Sequence, residues 1–279
     1  MIDISFVILT CNSQAAIGNC VKSYARSIDQ AGLQAEFIIV DNGSKDKTLE
    51  ILNKAVIPSL PASCKAKVIA LPKNLGTTKS RNIALRKIAG PFCVICDSDT
   101  EFLKGDWEQS LKRLKEDKSA GILAGHLYWG DRSTQHSVKR FPTLGDKLLK
   151  LKKTFLRVSE STTDYYADFP WEEIRPVDTA ISAFWLFRRE LLDEVGFLDE
   201  KIFYAPEDLD FCLRVWKARK KVLFYPGIEI LHLTQRISHA KPLSPVALSH
   251  FFGLLYYFKK HNYWFSRKKI YAQIPACAH

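Results

Sequence analysis

Several features that would place this chain in a specialised class of protein are scarce or absent. No stretch reaches the roughly 20 apolar residues that a membrane-spanning helix needs. The longest uncharged stretch, 242–258, is interrupted by Ser249, His250 and Gly253. The N-terminus leads directly into an apolar run at 4–9, without a basic segment and a cleavage site. We therefore expect no membrane span, no secretory signal and a cytoplasmic location.

Cysteine is present but lacks the pattern of a disulfide framework. The seven cysteines are an odd number without regular spacing, which favours a reducing compartment. Cys93 and Cys96 have the spacing of a zinc or redox pair, but they lie in an apolar, strand-like run. Because residues three apart in a strand point to opposite faces of the sheet, we expect two buried core thiols instead.

Acidic residues are absent from the whole chain after Glu229. The 279 residues carry a net charge of +11, and their 47% hydrophobic and 25% charged residues are typical of a globular protein. Residues 139–157 hold seven Lys or Arg and one Asp, and residues 230–279 hold another seven Lys or Arg. The positive charge is therefore concentrated in two segments of a nearly neutral body.

Short apolar runs alternate with helical segments in the first hundred residues. Strands are predicted at 4–9, 36–40, 67–71 and 92–96, and helices at 13–30, 47–55 and 77–88. This order predicts an α/β fold with a mostly parallel central sheet flanked by helices. Polar clusters at 10–12, 41–42 and 97–99 each follow a strand. We expect them to meet in one crevice at the carboxyl ends of the strands.

The segment 127–176 is rich in aromatic, basic and hydroxyl residues and carries turn signals. Regular structure is predicted again beyond it, as strands at 180–187, 221–225 and 228–231 and helices at 189–195 and 209–218.

Three of the polar clusters have a functional and an ordinary interpretation. Asp97 and Asp99, two apart at a strand end, could hold a hard divalent cation that bridges phosphate oxygens, or form an acidic turn. Asp41 could accept hydrogen bonds from a nucleobase, or belong to a simple turn with Gly43 and Ser44. A loop with Asn74 before the helix that carries Arg81 could place positive charge near a diphosphate, or be an ordinary helix start.

Two further candidates lie in the second half of the chain. Glu207 and Asp208 begin a predicted helix, where the helix dipole favours carboxylates whether or not one of them is a general base. His232 follows a strand-like run, and it is a metal ligand only if a metal already lies nearby.

In their order along the chain, these segments resemble inverting glycosyltransferases of family 2 with the GT-A fold, especially the rhamnosyltransferase-like branch. The match extends over about 1–235, and the segments that carry it are 6–12, 38–44, 74–82, 97–100, 188–190, 195–196, 199–200, 207–214 and His232. Ser182 and Arg219 stand where glycine is common in the family. Asp97-Ser98-Asp99 is similar to the DxD motif.

The resemblance implies roles for the candidate residues. Asp208 would be the general base, with Glu207 beside it. Mg²⁺ or Mn²⁺ would bind Asp99 directly, with Asp97 and His232 completing the metal site. The implied donor-binding residues are Thr10, Asn12, Asp41, Asn74, Arg81 and Asp97. The acceptor hydroxyl would attack the anomeric carbon opposite the nucleoside diphosphate, with inversion.

The resemblance also implies a domain organisation and a substrate class. A GT-A domain would span 1–240, with a nucleotide-binding half at 1–100, an acceptor half at 101–240 and a variable insertion at 127–176. A UDP- or dTDP-linked sugar would be transferred to a hydroxyl of a glycan. This glycan would be lipid-linked, and the reaction would belong to bacterial-type surface polysaccharide synthesis. The alternative is a non-catalytic nucleotide-sugar-binding or scaffold subunit with the same fold.

The two cationic segments suggest a partner beyond the donor and the acceptor. Residues 144–157 predict a basic amphipathic helix, typical of a membrane-surface element. The basic, aromatic extension 241–279 would lie in the bilayer interface near anionic lipids, or pack on the body with a solvated basic face. No nucleic-acid-binding module is evident, so we expect no nucleic-acid partner.

Overall fold

The computed structural model describes residues 1–155, 164–166, 168–233 and 245–274. Its strands are β1 (Ile4–Thr10), β2 (Ala35–Asp41), β3 (Cys64–Ala70), β4 (Phe92–Asp97), β5 (Thr100–Gly105), β6 (Ala120–Tyr128), β7 (Val138–Lys139), β8 (Arg175–Pro176), β9 (Thr179–Ala180), β10 (Phe184–Arg188) and β11 (Lys221–His232). Its α-helices are α1 (Ile17–Gln30), α2 (Thr48–Ile51), α3 (Thr77–Leu85), α4 (Trp107–Glu116), α5 (Leu144–Phe155), α6 (Leu191–Val195), α7 (Glu207–Lys217), α8 (Pro245–His261) and α9 (Arg267–Tyr271). A π-helical turn at Leu52–Val56 extends α2.

The main sheet has the strand order β3-β2-β1-β4-β10-β6-β11-β5, with β8 paired to β11. Strands β1 to β4, β6 and β11 all run in one direction, and β5, β8 and β10 run antiparallel to their neighbours. The carboxyl ends of the six parallel strands therefore lie at one edge. Asp97 at the end of β4 and His232 at the end of β11 share this edge, although 134 residues of sequence separate them.

Helices cover both faces of the sheet, and each face has its own hydrophobic cluster. On β1, Phe6 and Ile8 pack towards the side of α1 and α4, whereas Val7 packs towards the side of α3 and α7. The alternation has period 2, as expected for a strand with both faces buried. It also separates Cys93 from Cys96, which are fully buried on opposite faces. The expectation of two core thiols is confirmed.

The helix and strand boundaries differ from the sequence-based expectations in a few places. The helix predicted from residue 13 begins only at Ile17, after a turn. The two strands predicted at 221–225 and 228–231 form one strand, β11, whose pairing with β6 shifts between Tyr225 and Glu229. The Pro226-Gly227 pair lies at this shift. No element was predicted between 101 and 126, where β5, α4 and most of β6 lie.

The C-terminal helices pack on the same body. Tyr257, Phe258, Tyr263 and Ile270 are fully buried and belong to the cluster on the α7 face of the sheet. The second half of the predicted extension thus packs on the body of the protein. The predicted basic helix at 144–157 is present as α5, and residues 156–157 lie outside the described part of the chain. Residues 234–244 and 275–279, at the start and end of the predicted extension, also lie outside it. In the described chain, no helix combines the length and hydrophobicity needed to cross a membrane.

Candidate active site

A cavity of about 710 Å³ opens at the edge where the parallel strands end. Loops after β1, β2 and β4, the residues before β10, the start of α7 and one residue of α8 contribute to its wall. The polar and charged residues that line it are Asn12, Ser13, Asn42, Asn74, Thr77, Arg81, Asp97, Ser98, Asp99, Ser182, Tyr204, Glu207, Asp208, His232 and His250. The predicted convergence of strand-end clusters on one crevice therefore holds for most of their members.

Asp97, Asp99 and His232 form a compact group in this wall. One ligand atom of each residue lies within 4.8 Å of the others. His232 Nε2 is 3.5 Å from an oxygen of Asp99 and 3.9 Å from an oxygen of Asp97. Two carboxylates and an imidazole suit a divalent cation such as Mn²⁺ or Mg²⁺. The residues present therefore fit the metal that the resemblance implies.

Gln135 fixes the orientation of the His232 ring. Its Oε1 atom lies 2.9 Å from His232 Nδ1, and both side chains are buried. Since an amide oxygen only accepts hydrogen bonds, Nδ1 must carry the proton and donate it. The other ring nitrogen, Nε2, therefore faces the two carboxylates, as in metal sites where a neighbouring group orients the ligating histidine.

Neighbouring charges shift the pKa values of Asp97 and His232. Burial raises the pKa of Asp97, the charge of Asp99 raises it further, and Arg81 opposes both effects. Burial alone would lower the pKa of His232, but the hydrogen bond with Asp99 and the charges of Asp97 and Asp99 outweigh burial and raise the pKa. A cation among these side chains would relieve the repulsion between the two carboxylates.

Arg81 connects this group to a second acidic pair. The guanidinium is buried; it donates to Asp97 at 2.5 Å, to Glu207 at 3.2 Å and to the Ser182 hydroxyl at 2.7 Å. Ser182 also donates to Glu207 at 2.9 Å. Its hydroxyl thus supports the Arg81–Glu207 pair.

Glu207 and Asp208 begin α7, but they have different surroundings. Glu207 is buried against Arg81 and Ser182, and burial together with the charge of Asp208 raises its pKa to about 7. Asp208 is only partly buried, lines the cavity and accepts a hydrogen bond from the backbone N–H of Leu209 at 2.8 Å. Burial raises the pKa of Asp208, against the opposing charges of Lys139, Lys147 and Arg81.

The loops after β1, β2 and β3 are held together by asparagine side chains. Asn42 donates to Asn74 at 3.0 Å and accepts from the backbone of Leu75 and from the Ser80 hydroxyl. Asn12 adopts a left-handed conformation with φ of 52° and accepts from the backbone N–H of Lys45. Of the predicted donor-binding residues, Asn12, Asn74, Arg81 and Asp97 line the cavity.

Thr10 and Asp41, by contrast, are buried and do not line the cavity. They are the last residues of β1 and β2 and face each other in the parallel register. The carboxylate of Asp41 accepts hydrogen bonds from the backbone N–H and the hydroxyl of Ser44. Their assignment to donor binding stays a prediction.

Sequence analysis did not identify several residues of this wall. Phe203 and Tyr204 enter from the loop before α7, and the carbonyl of Phe203 accepts a hydrogen bond from Thr77 at 2.6 Å. A Cβ atom at Gly76 would lie 2.3 Å from that carbonyl, which explains why only glycine fits there. His250 of the wall and Gln135, the partner of His232, come from segments with no local signal of a site.

The architecture is shared by solved transferases of the GT-A class. S. aureus TarS (residues 1–349), in complex with UDP-GlcNAc, matches with a TM-score of 0.61 at 20% identity, over 98% of this chain and 70% of that one. GalNAc-T7 with UDP, GalNAc and Mn²⁺ matches with a TM-score of 0.64 at 15% identity, over 98% of this chain and 56% of that one. The fold is therefore GT-A, as predicted.

Sequence comparisons then identify the family. Residues 5–196 match the sequence model of the family described as Glycosyl transferase family 2. An uncharacterized glycosyltransferase of Bacillus subtilis, YwdF, is 30% identical over 77% of this chain and 68% of its own length. The N-acetylglucosaminyl-diphospho-decaprenol L-rhamnosyltransferase of Mycobacterium tuberculosis is 25% identical over 81% of this chain and 76% of its own. The chain belongs to glycosyltransferase family 2.

Proposed function

We propose that the protein is a metal-dependent inverting glycosyltransferase that moves a sugar from a UDP- or dTDP-linked donor to a hydroxyl of a lipid-linked glycan. Its place would be the cytoplasmic face of the membrane, in bacterial-type surface polysaccharide synthesis. The observation that carries the proposal is the group Asp97, Asp99 and His232 in the same cavity wall as Asp208. The rhamnosyltransferase relative, named for a diphospho-decaprenol acceptor, supports the choice of a lipid-linked glycan.

Asp97, Asp99 and His232 would hold the divalent cation. A bound cation would supply positive charge that stabilises the departing diphosphate. Arg81 lines the same wall and lies 2.5 Å from Asp97, so its guanidinium adds a second, permanent positive charge. A solved structure of the same fold, GalNAc-T7, contains Mn²⁺ together with UDP.

Asp208 is the better candidate for the general base of the two adjacent carboxylates. Both residues line the cavity, but Glu207 is buried and hydrogen-bonded to Arg81 and Ser182, whereas Asp208 is the more exposed of the two. The acceptor oxygen would form a bond to the anomeric carbon as the bond from that carbon to the diphosphate breaks. The proton of the acceptor hydroxyl would pass to Asp208, whose raised pKa makes it a stronger base.

A thermal-shift screen of nucleoside diphosphates and nucleotide sugars, with and without Mn²⁺, tests the donor and metal assignments. We expect one nucleotide class to raise the melting temperature, and to do so more strongly with Mn²⁺. Incubation of that donor with candidate acceptors, followed by NMR of the product, tests inversion. Donor binding without turnover for any acceptor would instead support a non-catalytic subunit, and no binding of any nucleotide would refute the proposal.

A further inference from the structure

The first half of α8 presents an apolar face to solvent. Leu248, Phe251 and Phe252 are 48%, 47% and 64% exposed. Spacings of three and four residues place them on one side of the helix, and the rings of Phe251 and Phe252 are 5.8 Å apart. Further along, Tyr257 and Phe258 are fully buried. One helix therefore packs on the body with its second half and exposes large apolar side chains with its first.

This apolar face lies beside the opening of the cavity. His250, between Leu248 and Phe251, lines the cavity. A Cβ atom at Gly253 would lie 2.2 Å from the carbonyl oxygen of Ala205, so the helix backbone packs directly on the loop before α7. Phe203 of that loop lines the cavity and is itself 50% exposed. The apolar surface thus continues from α8 to the cavity wall.

The structure joins the two cationic segments next to this surface. The backbone N–H of Leu144, at the start of α5, donates to the carbonyl of Trp264 at 2.6 Å. Arg267 of α9 pairs with Asp146 of α5 at 2.7 Å. Leu148 of α5 and Phe265, between α8 and α9, are 51% and 73% exposed. Segments more than a hundred residues apart in sequence therefore form one continuous region.

Not every cation of this region is available to a partner. Lys260 pairs with Asp199 and with buried Asp210, and Arg267 pairs with Asp146. Lys259, Lys268 and Lys269 are exposed. Lys259 lies in the last turn of α8, whose first half exposes the apolar face, and Lys268 and Lys269 lie in α9, which follows it.

We propose that a docking face, formed by Leu248, Phe251, Phe252, Lys259, Lys268 and Lys269, binds the surface of an anionic lipid bilayer. The aromatic and leucine side chains would enter the interface, and the lysines would lie at the level of the anionic headgroups. Charge favours this partner over a second copy of the chain, because a symmetric contact would bring these lysines against each other.

The docking face would also place the cavity at the membrane. A lipid-linked acceptor keeps its glycan at the bilayer surface, and the docked enzyme would present the wall with Asp208 to it. This step rests on the proposed function, whereas membrane binding itself does not require glycosyl transfer.

Vesicle co-sedimentation of the full chain tests the proposal. Phosphatidylcholine vesicles with and without phosphatidylglycerol are compared at low and high salt, with no donor or acceptor present. We expect binding only with phosphatidylglycerol, weakened by salt. Replacing both Phe251 and Phe252 by Ser, or both Lys268 and Lys269 by Gln, is expected to weaken binding about tenfold or more.

Matched controls change the same chemistry elsewhere on the surface. Ile174→Ser removes an apolar side chain that is 40% exposed. A double change of Lys54 and Lys112 to Gln removes lysines whose side chains are 77% and 68% exposed. Both controls should bind vesicles like the wild type, and circular dichroism should show all variants folded. Wild-type binding by the Phe251/Phe252 variant, or self-association that this variant abolishes, would overturn the proposal.

Discussion

Two acidic groups share one cavity, and they differ in how the fold arranges them. Asp97, Asp99 and His232 stand at or just after the ends of parallel strands, so their ligand atoms converge within 4.8 Å. Glu207 and Asp208 are neighbours at a helix start, and both line the cavity, but Glu207 is buried against Arg81 whereas Asp208 is partly exposed. Strand ends gather carboxylates around a point that suits a cation, whereas a helix start separates two carboxylates into different environments. Identical chemical groups thus become suited to different roles.

Replacing Asp208 by Asn gives the largest expected effect, because it removes the proposed base and keeps the shape of the side chain. We expect the rate of transfer to fall by about 10³-fold. Binding of the donor should be retained, as measured by the metal-dependent thermal shift. This split is expected because Asp208 is not among the residues proposed to bind the donor.

Asp193→Asn is a matched control for this variant. Asp193 also lies in the first turn of a helix, α6, but it is exposed and outside the cavity. The control should transfer sugar at the wild-type rate. If Asp208→Asn keeps nearly full activity, Asp208 is not the base.

Much of the first hundred residues could be predicted from the sequence. Strands β1, β2 and β4 are apolar runs buried on both faces, and the parallel topology brings the polar residues that follow these strands to one edge. The region from β5 to β6 was not predicted. A signal existed there, because Asp106 caps α4 by accepting from Gln109, a spacing typical of helix starts.

The contacts that complete the site could not be predicted, because they depend on tertiary packing. Gln135 and His232 are 97 residues apart, and no local pattern marks either as a partner of the other. His250 reaches the cavity only because Gly253 allows α8 to pack on Ala205. The position of Asp41 away from the cavity wall likewise follows from its hydrogen bonds to Ser44.

Replacing Asp99 by Asn tests whether Asp97, Asp99 and His232 bind a divalent cation. The variant loses a negative charge that faces His232 at 3.5 Å. We expect stabilisation by the nucleotide to lose its dependence on Mn²⁺, and activity to fall by about 10²-fold. Glu101→Gln, two residues further along and bonded to Asn19 instead, is the control that should retain Mn²⁺ dependence. Unchanged Mn²⁺ dependence in Asp99→Asn would exclude Asp99 as a ligand.

Gln135→Leu tests whether Gln135 is needed to hold His232 beside Asp97 and Asp99. Without the amide oxygen, Nδ1 of His232 loses its hydrogen-bond acceptor, and the ring can turn away from Asp97 and Asp99. We expect about tenfold weaker binding of Mn²⁺, measured by electron paramagnetic resonance. Thr134→Val alters the preceding residue, which contacts His126 at 3.1 Å, and should bind Mn²⁺ normally. Equal affinities in both variants would show that Gln135 does not orient the ligand.

The smallest expected effect comes from replacing Glu207, the neighbour of Asp208, by Gln. Burial and the charge of Asp208 raise the pKa of Glu207 to about 7, so Glu207 gains a proton, and loses its charge, as the pH falls through that value. Glu207→Gln keeps an oxygen that can accept from Arg81 and Ser182 but removes the negative charge next to Asp208. Because the charge of Asp208 raises the pKa of Glu207, Asp208 ionises first, while Glu207 is still neutral, so the acidic limb of kcat/KM should stay in place in the variant. Because the raised pKa disfavours ionised Glu207 in the folded state, the wild type should lose stability relative to this variant as the pH rises from about 4.5 towards 7. A dependence of the melting temperature on pH that is identical in both proteins would show that Glu207 does not titrate with a raised pKa.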